Sequence, residues 1–334
     1  MRNVIECKNL AIGYKEKYKK ETILIPDFTI ELHESELTAL IGPNGAGKTT
    51  LLKTISGNLS PIAGEINLLE KNLKSYSSVE LAKLISIVLT DRILDQHIKV
   101  FDVVATGRYP YTGFWAKLNQ HDQSVINNSM EMVGVESFAN RTFNTLSDGE
   151  RQKVMIAKAL AQNTPIILLD EPAAFLDYPS KIELIHLLQN LVKKHNKTIL
   201  FSSHDLELVL RSADRLWLVA SGKPIITDIP EQLILDGIIE QYFNQTGLRF
   251  DAMKGQFSQP DRGNKRISIF ADGLTGIWLC NALERKGWQV NHDTDEPVCV
   301  HYIKEEYILI YKEKTSCFKK LEYLLTEIDK YEDN

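Results

Sequence analysis

Alternating apolar and polar residues open the chain, a pattern typical of β-strands with one buried face. The alternation covers 4–10 and 23–32, and the charged segment 15–20 separates the two stretches. Later runs are almost wholly apolar and predict further strands: 37–41, 84–89, 166–169 and 198–202. The run 166–169 is typical of a strand buried on both faces, as in a parallel sheet under helices. Apolar residues at helical spacing occupy much of the intervening chain: 100–132, 151–162 and 181–195. The pattern predicts an α/β fold.

The pattern changes again beyond residue 245. Residues 246–266 are polar and rich in Gly, Pro and Gln, which predicts a linker. Residues 267–334 then predict a small α+β domain, with a strand, a helix, three strands and a final helix over 317–329. Because its sequence carries no phosphate loop or evident catalytic pair, a regulatory or dimer-supporting role and an inert appendage both stay open.

Composition narrows the possible functions. The chain has 334 residues, 43% hydrophobic and 25% charged, as in an ordinary globular protein, and its net charge of -5 favours no nucleic acid partner. Its cysteines form no C-x-x-C pair, so we expect neither a disulfide framework nor a zinc site, and a reducing cytosol is favoured. The N-terminus leads straight into a strand pattern without a signal peptide. No apolar run reaches the roughly 18 residues of a membrane span.

A glycine-rich stretch, GPNGAGKTT at 42–50, directly follows the apolar run 37–41. Glycines allow successive backbone N–H groups to point at an anion, and the helix that follows adds the positive end of its dipole. Lys48 is expected to reach the outer phosphates of a nucleotide, and the Thr49 hydroxyl to ligate a magnesium ion bound to them. The candidate nucleotide-binding residues here are Gly42, Pro43, Asn44, Gly45, Ala46, Gly47, Lys48, Thr49 and Thr50.

Acidic residues end the apolar run 166–169. Asp170 and Glu171 stand where open α/β sheets place their chemistry. Neighbouring carboxylates at a buried strand end repel each other unless a cation balances them. We therefore expect Asp170 to hold the magnesium ion, directly or through water, and Glu171 to polarise an attacking water. His204 follows the run 198–202 at the same expected edge, where a hydrogen bond to the outer phosphate or a structural role would fit.

Three further features allow a binding or a structural interpretation. Ser147 is well placed as the N-cap before helix 151–162 and Gly149 permits close backbone approach, so this helix start is either a second phosphate site or only a cap. Tyr14 could stack on a purine ring or pack against the protein. The aromatic loop 107–115 is either a docking surface or partly buried against its own helices.

Taken in order, these motifs resemble those of the ATP-binding cassette (ABC) ATPases over about residues 1–240. GPNGAGKTT matches their phosphate loop, LSDGE their signature motif, IILLDEP their magnesium strand and SSHD the segment of their switch histidine. Two details narrow the resemblance: the segment GRYPYTG, and a signature that ends as LSDGE where a glutamine would otherwise be the last residue. Both are most similar to the subunits that drive iron-siderophore, haem or cobalamin import. The resemblance implies a P-loop cassette at 1–245, with a RecA-like core, an antiparallel β subdomain and a helical subdomain at about 95–162.

The resemblance also implies an activity and partners. It implies an ATPase that binds ATP and Mg²⁺ and powers transport through separate transmembrane permease subunits. The chain would lie peripherally at the cytoplasmic face of the inner membrane, with a solute-binding protein acting indirectly. Two copies would form a homodimer that closes ATP between the phosphate loop of one copy and Ser147 and Gly149 of the other. Tyr14 would contact the same nucleotide as the loop of its own copy.

Two other classes compete with this interpretation. One is a soluble ABC-type ATPase outside transport, acting on DNA, ribosomes or cluster assembly. Such relatives usually carry a long coiled coil, two cassettes in one chain or basic arms, which the sequence does not show. The other is a P-loop kinase, which would have no use for the LSDGE helix.

Two positions depart from the family pattern. Thr90 stands where the family usually has glutamine after the 84–89 strand, and its shorter side chain reaches less far toward magnesium. Thr90 is still a candidate metal ligand, with a bridging water if necessary. Asp148 replaces a glycine of the signature and puts a carboxylate beside a loop expected to meet an anion, which requires that its side chain turn outward.

Overall fold

The chain divides into two compact units, Met1–Gly237 and Ile238–Asn334. The computed structural model describes the following residues: 2–14, 21–89, 97–113, 117–243, 249–252, 255–258, 265–291, 296–312 and 314–330. Thr90 lies outside the described residues, as do the charged segment 15–20 and the end of the predicted aromatic loop at 114–116. None of the helices in the described part of the chain has the length and apolar composition needed to cross a membrane.

Two sheets build the first unit. Its strands are β1 (Asn3–Tyr14), β2 (Thr22–His33), β3 (Leu37–Ile41), β4 (Ala63–Leu68), β5 (Lys71–Asn72), β6 (Ile85–Val88), β7 (Ile166–Leu169), β8 (Thr198–Ser203), β9 (Arg215–Leu218) and β10 (Ile226–Asp228). Within the described residues, the larger sheet has the order β10-β9-β3-β8-β7-β6 and the smaller one the order β2-β1-β4-β5. The smaller sheet pairs antiparallel throughout.

The larger sheet has a parallel core, as the apolar runs predict. β3 pairs in parallel with β8 and β9, β8 with β7, and β7 with β6. All residues of β3, β7 and β8 are buried, which explains why these strands have no polar face. Since parallel strands point the same way, the C-terminal ends of β3, β8 and β7 lie side by side at one edge of the sheet.

Some helices of the first unit cover the larger sheet, and others pack mainly on one another. The helices of the first unit are α1 (Lys48–Ile55), α2 (Ser78–Leu84), α3 (Val100–Ala105), α4 (Tyr109–Thr112), α5 (Gln120–Met132), α6 (Asp148–Ala161), α7 (Tyr178–His195), α8 (Leu206–Leu210) and α9 (Pro230–Leu235). α3, α5 and α6 pack on one another through buried side chains that include Val104, Ile126 and Val154. The predicted aromatic loop is helical in its described part, with a 3₁₀ turn at Thr106–Arg108 followed by α4.

The second unit contains a five-stranded sheet, as far as its residues are described. Its elements are α10 (Ile238–Phe243), β11 (Arg249–Asp251), β12 (Gln256–Ser258), β13 (Lys265–Phe270), α11 (Gly273–Arg285), β14 (Trp288–Asn291), β15 (Val298–Ile303), β16 (Glu306–Tyr311), β17 (Lys314–Phe318) and α12 (Leu321–Asp329). The sheet order is β14-β13-β15-β16-β17. α11 and α12 contribute Leu279, Leu283, Leu324 and Ile328 to the core over this sheet.

The predicted first helix and the strands of the small α+β domain are confirmed, but one strand was missed. The start of the final helix predicted at 317–329 was wrong, because Lys314–Phe318 forms β17, which pairs antiparallel with β16. Pairing with a neighbouring strand overrides the helical spacing of these residues. Inside the range 246–266, for which a linker is predicted, β11 and β12 form a small antiparallel pair.

Candidate functional site

The phosphate loop lies between β3 and α1, where a strand turns directly into a helix. Gly45 and Gly47 have φ values of 80° and 100°, a left-handed conformation that glycine adopts without steric cost. A Cβ at Gly42 would lie 2.2 Å from the Val219 carbonyl oxygen, so this position also requires glycine. The backbone N–H of Ala46 closes the turn on the Pro43 carbonyl at 3.2 Å.

The start of α1 is open to a ligand. Its N-cap is Gly47, and no side chain in the described residues caps the helix. The first N–H groups of an α-helix have no partner inside the helix, and they carry the positive end of its dipole. The turn that precedes α1 is exposed at Pro43, Asn44 and Gly45. Uncapped N–H groups beside an exposed turn suit an anion from solution.

Lys48 connects the loop with the neighbouring strand end. Its side chain is only 6% exposed, and Nζ donates hydrogen bonds to the carbonyl oxygens of Gly42 at 2.9 Å and Pro43 at 3.3 Å. Nζ also lies 3.5 Å from Glu171 Oε1, in an ion pair. The ammonium group therefore stands between the loop and the carboxylate that the sequence predicts to be catalytic.

Thr49 and Asp170 meet at the edge of the sheet. The Thr49 hydroxyl donates a hydrogen bond to Asp170 Oδ2 at 2.7 Å, although the two residues are far apart in the sequence. Asp170 directly follows β7 and is 2% exposed. A hydroxyl and a carboxylate at this separation are oxygen ligands of the kind that Mg²⁺ prefers. These two residues fit a magnesium ion beside the phosphate loop.

Glu171 and His204 share the same edge. His204 Nδ1 lies 3.9 Å from Glu171 Oε2, and His204 is about half exposed. Glu171 has a φ of 46°, a left-handed conformation that costs a non-glycine residue about 1–3 kcal/mol. The residue after His204, Asp205, forms an ion pair with Lys181 of α7 at 2.9 Å. Burial is the largest single influence on the pKa of Asp205 and raises it, but the hydrogen bonds from Lys181 and the Leu208 N–H, together with the charge of Lys181, outweigh burial, so the net pKa is lowered.

Ser202 is a residue of the site that sequence reasoning missed. Its hydroxyl donates to Asp170 Oδ1 at 2.7 Å and accepts a hydrogen bond from the backbone N–H of Glu171 at 2.7 Å. Only the pairing of β7 with β8 brings these residues together. The one sequence signal is the polar pair Ser202-Ser203, which follows the apolar centre of β8.

Tyr14 is attached to the start of α1. Its hydroxyl lies 2.9 Å from Thr50 Oγ1, within hydrogen-bond distance, and its side chain is half exposed at the end of β1. Tyr14 thus stands next to the phosphate loop with a partly free ring.

Ser147 and Gly149 belong to a different part of the first unit. They line a groove of about 280 Å³ together with Phe138, Leu176 and Ser180, and the described lining of this groove includes no residue of the phosphate loop. The structure therefore brings together the loop, Asp170, Glu171 and His204, whereas the signature residues face another groove.

The start of α6 is closed by its own side chains. Ser147 Oγ accepts a hydrogen bond from the Glu150 N–H at 3.3 Å, and Glu150 Oε2 accepts one from the Ser147 N–H at 2.7 Å, a capping box. The Ser147 hydroxyl also lies 3.0 Å from the same carboxylate oxygen. The backbone N–H of Ser147 is the main reason that the pKa of Glu150 is lowered, with its hydroxyl and Arg141 acting in the same direction.

Asp148, the unusual residue of the signature, turns outward. Its side chain is 64% exposed, and its Oδ1 lies 3.2 Å from Arg151 Nη1 one turn further along α6. Arg151 Nη2 also donates to the Asn144 carbonyl at 2.7 Å, which anchors the guanidinium group. The charge of Asp148 is thus paired within its own helix.

The predicted docking segment is partly buried and partly exposed. Arg108 is buried, with Nε 2.9 Å from Asp122 Oδ1 and its guanidinium carbon 4.0 Å from the centre of the Tyr111 ring. Tyr109 is 62% exposed and Val79 of neighbouring α2 is 55% exposed. Arg108 is therefore buried, as one interpretation predicts, whereas Tyr109 is exposed, and docking at this segment stays a prediction.

A phosphate loop followed by acidic residues on a nearby parallel strand defines a P-loop nucleotide-binding protein. Comparison with known proteins specifies the class. A model of the ABC transporter family matches residues 25–174, and a model of the iron ABC transporter C-terminal domain matches residues 264–329.

Whole-protein relatives agree with these family matches. The chain is similar to an uncharacterized ABC transporter ATP-binding protein of Methanocaldococcus jannaschii, with 36% identity over 289 residues that cover 86% of this chain and 98% of the relative. It is 33% identical over 242 residues to the ferric enterobactin transport ATP-binding protein FepC of Escherichia coli K12, covering 72% of this chain and 86% of the relative.

Solved structures agree as well. A dimeric bacterial ABC transporter cassette superposes with a TM-score of 0.59 at 27% identity, covering 68% of this chain and 98% of that chain. The chain therefore belongs to the ATP-binding subunits of ABC transporters, which are ATPases that drive transport. The family and the fold predicted from the sequence are confirmed.

Proposed function

We propose that this chain hydrolyses ATP to power the import of an iron-siderophore, haem or cobalamin complex through separate transmembrane permease subunits. The observation that carries the proposal is the contact of Thr49 with Asp170, which joins the phosphate loop to the acidic strand end. The choice of cargo is supported by the similarity to a ferric enterobactin transport protein and by the match at residues 264–329.

The loop 42–50 and Tyr14 bind the nucleotide. The uncapped N–H groups at the start of α1 bind the phosphates, and Lys48 turns from the carbonyls of Gly42 and Pro43 to the outer phosphates. The ring of Tyr14, tethered through Thr50, stacks on the base.

Magnesium binding falls to Thr49 and Asp170, whose oxygens already lie together. When bound, the ion neutralises the charge of the transferring phosphate. Thr90 enters this ligand set only through the family resemblance. A bridging water would make up for its side chain, which is shorter than glutamine.

Hydrolysis depends on Glu171 and His204. Glu171 accepts a proton from the attacking water, and Lys48 releases this carboxylate when it moves to the phosphates. His204, half exposed beside Glu171, donates a hydrogen bond to the outer phosphate. The Glu171 side chain follows a left-handed backbone, and its two oxygens lie near Lys48 and His204.

The complete site requires two copies. Ser147 and Gly149 line a groove apart from their own phosphate loop, so in a homodimer they contact the nucleotide held by the other copy. The similarity to a dimeric cassette supports this arrangement. Closing and opening of the dimer is then the motion that hydrolysis transmits to the permease.

The permease docks at the cytoplasmic face of the membrane, on the surface made by Val79 of α2 and Tyr109 of α4. Exposed aromatic and β-branched side chains on adjacent helices suit a helix from a membrane partner. The solute-binding protein acts on the permease from the opposite side, without contacting this chain.

Copurification tests the transport proposal. The tagged chain, extracted from its native membranes in mild detergent, should retain a polytopic permease that mass spectrometry identifies, together with ATPase activity. Tyr109→Ala should lower permease recovery about tenfold if Tyr109 is an interface hot spot. Tyr323→Ala, which removes a tyrosine of similar exposure from the second unit, serves as the control. An active ATPase recovered without any permease would support the non-transport alternative.

A further inference from the structure

Ser202 makes two hydrogen bonds that the proposed chemistry does not yet use. Its side chain is fully buried at the C-terminal end of β8. The hydroxyl donates to Asp170 Oδ1 and accepts from the Glu171 N–H, both at 2.7 Å. A serine hydroxyl has one proton to donate, so donation to Asp170 fixes its orientation and leaves a lone pair for Glu171.

The sheet register places Ser202 at this point. β7 and β8 run parallel with Leu169 beside Phe201, and the next residues on the two strands are Asp170 and Ser202. A side chain in this position reaches the adjacent strand end without crossing any intervening layer. The contact is therefore a direct result of the fold.

Both oxygens of Asp170 are held by hydroxyl groups. Thr49 donates to Oδ2 from the phosphate loop, and Ser202 donates to Oδ1 from the neighbouring strand. Two donors on opposite oxygens determine the plane of the carboxylate. That plane decides which oxygen lone pairs are presented to a cation.

The same hydroxyl holds the peptide that leads into Glu171. This residue adopts a left-handed conformation directly before Pro172, where the preceding residue is normally extended. A hydrogen bond from the Glu171 N–H to a buried, oriented oxygen stabilises this unusual backbone. The direction of the Glu171 side chain thus depends on Ser202.

We propose that Ser202 is a positioning residue for ATP hydrolysis, whose single hydroxyl aligns the metal-binding carboxylate of Asp170 with the backbone of the base Glu171. This inference rests on the roles given to Asp170 and Glu171 in the proposed function. Ser202 itself does not touch the nucleotide.

Four variants of the full-length chain test this role. Ser202→Ala removes the hydroxyl, Ser202→Thr keeps it, and Glu171→Gln removes the base. Ser203→Ala is the matched control, because its hydroxyl lies on the next residue and accepts from the Asp205 N–H. The measurements are kcat and KM for ATP, and equilibrium titrations of ATP with magnesium and with EDTA.

We expect Ser202→Ala to lower kcat by about 10- to 100-fold, the usual effect of removing a partner that orients a metal ligand. Magnesium should strengthen ATP binding less in this variant than in the wild type, whereas binding in EDTA should be unchanged. Ser202→Thr should restore kcat, and Ser203→Ala should keep it. A purely structural role would lower the midpoint of thermal unfolding without changing the response to magnesium.

The outcomes separate this inference from the proposed function. If Glu171→Gln abolishes hydrolysis while Ser202→Ala keeps wild-type kcat and magnesium response, the role of Ser202 is refuted. If Glu171→Gln hydrolyses ATP normally, the proposed catalytic role of Glu171 fails instead. Should Ser202→Ala not fold, Ser202→Cys replaces it, because a thiol is a weaker donor of similar shape. Wild-type kcat and magnesium response in Ser202→Cys would also overturn the proposal.

Discussion

Two helices of the first unit begin at residues predicted to bind phosphate, and their first turns are built in opposite ways. α1 starts after Gly47 in a left-handed conformation, with no cap from any described side chain and a buried Lys48 in its first turn. α6 starts after Ser147, whose capping box with Glu150 pairs the backbone N–H groups of these two residues. At α1 no described side chain accepts from the first N–H groups, whereas at α6 the Glu150 carboxylate already accepts hydrogen bonds from the N–H and hydroxyl of Ser147.

This difference indicates that the two halves of the proposed site have different roles, one in nucleotide binding and the other in dimer closure. The start of α1 can bind phosphate in a single copy, because nothing within the described chain competes for its N–H groups. At α6, a phosphate from a second copy that binds the Ser147 hydroxyl has to displace its hydrogen bond to Glu150. Substitutions at the start of α1 should therefore change ATP binding, and substitutions at the start of α6 should change dimer formation.

The largest effect should come from Lys48→Ala. Losing charge-assisted hydrogen bonds of about 1.5–3 kcal/mol should weaken ATP binding by roughly 10- to 100-fold or more, because several phosphate oxygens share this ammonium group. Titration with a fluorescent ATP analogue measures the change. Lys53→Ala, in the last turn of the same helix, should bind ATP like the wild type. Equal affinities in both variants would remove the phosphate loop from the proposed site.

A tenfold effect on closure is expected from Ser147→Ala. The variant should bind ATP normally, whereas formation of the ATP-bound dimer should weaken by about tenfold, since one hydrogen bond to a charged group is lost. Analytical ultracentrifugation at increasing ATP concentrations measures this dimer.

Ser77→Ala is a closely matched control for that variant. Ser77 and Glu80 form the same capping box at the start of α2, with the Ser77 N–H 2.7 Å from Glu80 Oε2. Either substitution should cost about 1 kcal/mol of unfolding free energy through the lost cap. Only Ser147→Ala should impair dimer formation. If both variants dimerise equally well, α6 is an ordinary capped helix.

The smallest effect should come from the pair of Asp148 and Arg151. Arg151→Gln leaves the Asp148 carboxylate without its helical partner and next to the incoming phosphates. An exposed ion pair of about 0.2–1 kcal/mol corresponds to a rise of roughly 1.4- to fivefold in the ATP concentration needed for half-maximal dimerisation. Adding Asp148→Asn should reverse the rise. A rise that persists in the double variant would mean that Arg151 acts on phosphate by itself.

Prediction from the sequence succeeded where the local residue pattern alone determines the local structure. The apolar runs predicted the parallel core because strands buried on both faces tolerate few polar residues. The loop 42–50 predicted its strand-loop-helix geometry because glycine spacing and helix start are local. The strand β17 was missed because its conformation depends on pairing with β16, which no local pattern records.

The residues of the candidate site also fall into those that local sequence patterns predict and those that depend on tertiary contacts. Asp170, Glu171 and His204 could be assigned to one edge because each follows an apolar strand. Ser202 could not be found in this way, since its role depends on the register of β7 and β8. The outward turn of Asp148 depends on Arg151, a residue whose importance no motif signals.

The order of strands in the larger sheet has a consequence for the biogenesis of the protein. β3, which carries the phosphate loop, has β8 and β9 as its hydrogen-bonded neighbours in the described sheet. A nascent polypeptide that has been translated only to residue 197 therefore presents β3 with both edges unpaired, an aggregation-prone condition that chaperones guard against. Nucleotide affinity should thus be acquired late in translation, after residue 218 has left the exit tunnel.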